Sequence, residues 1–148
     1  HKLLMKKLQR YGFQGRLLNW IEAFLTGRHQ RVVVNGKLSS PALVLSGVPQ
    51  GTVLGPILFL IFINDMNSCI LHSILRSFAD DTRIMRAIKT VEDSALLQED
   101  LNRVIKWASD NNMLLHQDKF EVLNHSTGKS ALLKQPPFTS ELYCYQTT

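Results

Sequence analysis

The chain has 148 residues, 45% hydrophobic and 20% charged, a composition that fits about one globular domain and excludes an intrinsically disordered chain. Its net charge of +5 is uneven: residues 1–76 carry nine Lys and Arg against two acids, residues 77–148 eight against ten. A basic half suits a polyanion such as nucleic acid, and a solvated charged surface gives the same count. Cys69 and Cys144 lack metal-ligand spacing, and His1, His29, His72, His116 and His125 form no His-Glu-x-x-His pattern, so a zinc site is not expected. Two unspaced cysteines, no signal-peptide pattern and a longest apolar run of Ile57–Ile63 predict a reduced, intracellular protein without a membrane span.

In chain order, Leu3, Leu4 and Leu8 predict a short helix closed by Gly12. Leu17, Leu18, Trp20, Ile21, Phe24 and Leu25 predict a second helix between Gly15 and Gly27. Trp20 and Phe24 are expected in the core; the alternative is an aromatic platform for bases. Val32-Val33-Val34 before Asn35-Gly36 and Lys37-Leu38 predicts a tight hairpin, whose returning strand resumes at Ala42–Leu45 after the break at Pro41. Arg28 and Arg31 flank it, where they suit phosphate contacts or a plain solvated surface. The loop Ser46–Gly51 leads into an almost wholly apolar stretch, Thr52–Asp65, expected to be a buried helix capped by Thr52. A Gly-rich loop before a helix N-terminus can bring backbone N–H groups to a phosphate or base.

Asp80 and Asp81 lie in Ser77-Phe78-Ala79-Asp80-Asp81-Thr82, between the apolar runs Cys69–Leu75 and Ile84–Ile88. That pattern predicts strand, tight turn and strand, with two acids presented at the turn. Paired carboxylates on a hairpin offer hard oxygen ligands to a divalent metal, and Asp-Asp is also common turn chemistry. Thr90-Val91-Glu92-Asp93 then approximates a capping box. Behind it Val91, Ala95, Leu97, Leu101, Val104, Ile105 and Ala108 form one face of a long helix ending near Asn111-Asn112, with Glu99 and Arg103 spaced for a surface ion pair. Met113–Leu115 and Phe120–Leu123 are short strand candidates. Gly128-Lys129-Ser130 lacks the leading Gly of a phosphate-binding loop, Leu123 standing in its place, and reads as an ordinary turn.

Three stretches in register, Ser46-Gly47-Val48-Pro49-Gln50-Gly51-Thr52-Val53-Leu54-Gly55-Pro56, Ile63-Asn64-Asp65 and Phe78-Ala79-Asp80-Asp81-Thr82, closely resemble consecutive reverse transcriptase motifs of non-LTR (LINE-type) retrotransposons. Leu25–Arg28 with Gln30-Arg31-Val32 upstream, and Trp107-Ala108 with Asn112-Met113 downstream, follow the same order. The resemblance implies an α+β fold, a polymerase palm fragment with buried helices packed on a small antiparallel sheet, over residues 1–124, followed by a poorly defined tail, 125–148. It implies RNA-directed DNA polymerase chemistry with RNA template, DNA primer and dNTP as partners and Mg2+, or Mn2+, held by Asp80 directly and by Asp81 as the weaker partner. Gln50 and Gly51 match the loop lining the template and incoming-nucleotide pocket. Lys119 matches a basic position that reaches the triphosphate, an ordinary surface lysine being the alternative. Three features depart from the pattern: the family's third carboxylate falls before the position of His1, His116 stands where Asn is usual, and the tail from about Pro136 diverges. The expectation is therefore a polymerase segment inactive in isolation; the alternative is a degenerate remnant that at most binds nucleic acid weakly.

Overall fold

Helix formation at the start of the chain follows its leucine spacing. In the computed structural model, which describes residues 1–116 and 120–123, α1 spans Lys2–Arg10 and buries Leu4 and Leu8. Tyr11 and Gly12 end it with N–H bonds back to the Lys7 and Gln9 carbonyls. Helix α2, Gly15–Leu25, buries Ile21 and Leu25. These side chains meet Leu58 of α3, Leu54–Ile63, with Phe13, Leu18, Phe24, Val48 and Phe62 packed around them. This is the core of the first of two units, His1–Asn64; the second begins at Asp65.

Lys7 is buried in that first core, and its Nζ donates to the Phe62 carbonyl at 2.6 Å while lying 4.4 Å from the centre of the Phe62 ring. A cation there satisfies a carbonyl of the last turn of α3 and meets the negative end of its dipole, which offsets the cost of burying an ammonium group. Helix α3 is less covered than its composition predicts: Ile57 and Leu60 are exposed, as is Val53 just ahead of it. Trp20, expected in the core, is 56% exposed, and only Phe24 of that pair packs inward.

The Asn35-Gly36 turn forms as expected, both residues at positive φ (49° and 75°), joining β2 (Val33–Val34) to β3 (Lys37–Leu38). Below it β1 (His29–Gln30) pairs antiparallel with β4 (Ala42–Leu43). A 3-10 turn, Asn64–Cys69, begins on the last residue of the first unit and leads in the second to β5 (Ile74–Phe78), β6 (Asp81–Met85) and α4 (Val91–Asp110). The chain is thus a mixture of helices and small antiparallel sheets, an α+β fold. Thr90 and Asp93 form the predicted capping box at the start of α4. The inward stripe of that helix runs through Ser94, Leu97, Leu101, Val104 and Ala108, whereas Val91 and Ala95 are exposed. Met113–Leu115 and Phe120–Leu123 are not strands. The Gly128-Lys129-Ser130 turn and the divergent tail lie outside the described residues.

Candidate active site

The acid pair stands at the end of a hairpin with one buried face. Leu75 and Ile84 oppose each other across β5 and β6 and pack on Leu101 and Val104 of α4 and on Met66. Alternation along the strands turns Ile74, Arg76 and Phe78, with Asp81, Arg83 and Met85, to the open face, and all six are exposed. The strands close through a two-residue turn, Ala79-Asp80, and a hydroxyl contact of 3.0 Å between Ser77 and Thr82 braces its base. Ala79 has φ +53°, and Asp80 does not share a positive φ. Glycine is usual at that first position; a Cβ there costs about 1–2 kcal/mol. Asp80 thus sits at the tip and Asp81 opens β6 opposite Phe78, both exposed. Among the described residues the Asp80 carboxylate makes no hydrogen bond or ion pair, and no group of three His, Cys, Asp or Glu side chains gathers anywhere.

The strands lie later, and then earlier, than the apolar runs predict. Residues 71–73 bend because the N–H groups of Leu71 and His72 donate to the Asp100 carboxylate, at 3.0 and 2.8 Å, instead of to a strand. Asp100 is fully buried on α4 and also accepts from Arg103 at 2.7 Å. Burial by itself would raise its pKa; the Leu71 and His72 N–H donors and Arg103 outweigh that and hold it at about 2, below the ordinary 3.8. Arg103 also pairs with Glu99, as its spacing predicts. Beyond β6 the chain leaves the sheet at Arg86, whose guanidinium donates to the His72 carbonyl and bonds Asp93 at 2.7 Å. Arg86, then the Lys89 and Thr90 N–H groups, hold Asp93 at about 2 as well. Both ends of the hairpin are thereby tied to α4 through buried or half-buried carboxylates.

Asp65 and Trp107, from two of the family-like stretches, meet directly: the indole Nε1 donates to the Asp65 carboxylate at 3.0 Å. This bond gives the pairing of those two signals a structural reason. Spacing alone did not reveal Asp100 or Lys7, although an acid on the same helical face as Leu97, Leu101 and Val104 was a usable sign.

In the first unit, Gln50 and Gly51 occupy an exposed turn ahead of α3, Gly51 at φ +74°. No atom comes within 4 Å of where its Cβ would be, so its need for glycine is conformational. The tight approach falls at Gly55, where a Cβ would run into the Pro49 carbonyl oxygen and stand 3.0 Å from the Thr52 hydroxyl. That hydroxyl donates to the Pro49 carbonyl at 2.8 Å and accepts the Gly55 N–H at 3.1 Å, so Thr52, one residue ahead of the N-cap Val53, satisfies a first-turn N–H and locks the loop to the helix. Arg28, considered for phosphate, donates to the Leu25 and Gly47 carbonyls and fixes the other side of the loop. Lys119 lies outside the described residues.

The family model described as reverse transcriptase (RNA-dependent DNA polymerase) matches residues 1–138. The chain belongs to the reverse transcriptase family. It is 32% identical over 130 residues to the RNA-directed DNA polymerase from mobile element jockey of Drosophila melanogaster, an alignment covering 80% of this chain and 14% of that protein. Its identity to the jockey polymerase of Drosophila funebris is 33% over 112 residues, covering 70% and 12%. To the probable RNA-directed DNA polymerase from transposon X-element of Drosophila melanogaster it is 32% over 104 residues, covering 67% and 12%. The chain therefore spans about one seventh of the length of these curated reverse transcriptases or less. No solved structure matches it. Among the described residues no helix is long and apolar enough to cross a membrane.

Proposed function

We propose that this segment is part of the palm of an RNA-directed DNA polymerase and that Asp80 and Asp81 are its contribution to a two-metal nucleotidyl-transfer site. The observation that carries the reading is the two-residue turn, which sets two successive, exposed carboxylates at the end of a hairpin anchored on α4. Hard carboxylate oxygens suit Mg2+ or Mn2+, with Asp80 as the direct ligand and Asp81 as the weaker one. The bound ions would neutralise charge on the transferring phosphoryl group and assist the attacking 3′-hydroxyl. Gln50 and Gly51 line the template and incoming-nucleotide pocket in this reading, and Lys119 reaches the triphosphate. RNA template, DNA primer and dNTP are the partners. Two carboxylates do not complete such a site, so the isolated chain is inactive.

Two measurements test this. Mn2+ titration of the chain, followed by the loss of free-ion electron paramagnetic resonance, is expected to show weak binding that Asp80→Asn removes and Asp81→Asn reduces. Equal Mn2+ binding by wild type and Asp80→Asn would overturn the assignment. In primer extension on an RNA template with Mg2+, the isolated chain should add no nucleotide. A longer polymerase containing it should lose at least about a thousandfold in rate with Asp80→Asn.

A further inference from the structure

The least expected side chain on the surface of the first unit is Trp20. Residues 1–64 hold eight Lys and Arg against a single acid, Glu22. On α2 the positions one turn either side of Trp20 are Arg16 and Leu17 before it and Ala23 and Phe24 after it, so Glu22 falls on a different face. Arg16 and Leu17 are exposed, as is Trp20. Phe24 is partly buried against the core, and the Trp20 ring stacks on it with centroids 5.9 Å apart and planes 19° apart. One side of the indole is therefore backed by an anchored ring, which restricts its rotamers before any ligand arrives. The rest of it is open, one helical turn from Arg16, on a strongly basic unit.

We infer that Trp20 is a stacking platform for an unpaired base of single-stranded nucleic acid, with Arg16 contacting an adjoining phosphate. An exposed apolar stripe also suits a protein partner, but the charge around this one favours a polyanion, and the parallel backing by Phe24 favours a flat ligand that continues the stack. The inference rests on the nucleic-acid reading of the first unit and is independent of the metal site.

The test uses the 148-residue chain, a twelve-nucleotide single-stranded RNA, an abasic strand of the same length and fluorescence anisotropy, with circular dichroism confirming each variant's fold. Trp20→Leu keeps apolar bulk and removes the π face; it should weaken RNA binding about tenfold and leave abasic-strand binding unchanged. Trp20→Phe should retain most of the affinity. Arg16→Gln should weaken binding to both strands and lower the salt dependence. If Trp20→Leu bound RNA as wild type does, or weakened the abasic strand equally, the platform would be overturned. Wild-type RNA affinity indifferent to salt would instead overturn the nucleic-acid reading on which it rests. Unchanged RNA binding with loss of chain self-association in Trp20→Leu would assign the face to protein contact.

Discussion

At the scale of single residues, the candidate site carries a conformational cost that its composition does not disclose. Ala79 adopts a φ of +53° at the position of the turn where glycine is usual. Ala79→Gly should therefore stabilise the second unit by about 0.5–1 kcal/mol in urea unfolding, since the relief of backbone strain exceeds the added chain entropy. An unchanged or lower midpoint would show that the turn holds Ala79 without strain. The same substitution frees Asp80 to wander, so in an active longer polymerase a gain in stability is expected to accompany a loss of rate.

Individual elements differ in how much of them the sequence made readable. Amphipathic spacing was enough for α1, α2 and α4, and Asn35-Gly36 and Thr90–Asp93 specified their turn and cap chemically. The limits of β5 and β6 were not readable, because they depend on distant side chains: Asp100 takes the Leu71 and His72 N–H groups out of the sheet, and Arg86 turns from the end of β6 to the His72 carbonyl and Asp93. Trp20 was misplaced for a related reason, since periodicity identifies an apolar stripe without saying how wide a stripe the neighbouring helices cover. The acid pair was legible from its turn-like context, yet the ties from Arg86 and Asp100 that hold its hairpin were not. Asp100→Ala tests that dependence. It leaves two backbone donors without their acceptor and Arg103 with Glu99 alone, and should cost about 2–4 kcal/mol in chemical denaturation while weakening Mn2+ binding at the distant Asp80. A cost below about 0.5 kcal/mol would mean the N–H groups find water instead.

Taken as a whole, the molecule should be sensitive to acid through its second unit. Asp93 and Asp100 both sit at about 2 in the folded chain against an ordinary 3.8. A carboxylate held below its unfolded value contributes stability that is fully present above about pH 4 and is lost as pH falls toward 2. Circular dichroism across that interval should therefore show helix loss, and Asp100→Asn should flatten the pH dependence by removing one of the two groups. If wild type and Asp100→Asn lost stability in parallel between pH 4 and pH 2, the buried carboxylate would not be a source of the transition.

The missing Cβ of Gly55 bears on how such a segment decays. Almost any side chain there drives the Pro49 carbonyl away and loosens the two bonds made by the Thr52 hydroxyl, while Asp80 and Asp81 remain intact in the sequence. In a library of random substitutions of this chain, an intact acid pair is then no guide to whether the loop ahead of α3 is still in place. A residue other than glycine at 55 should shift that loop, however well the carboxylates are kept.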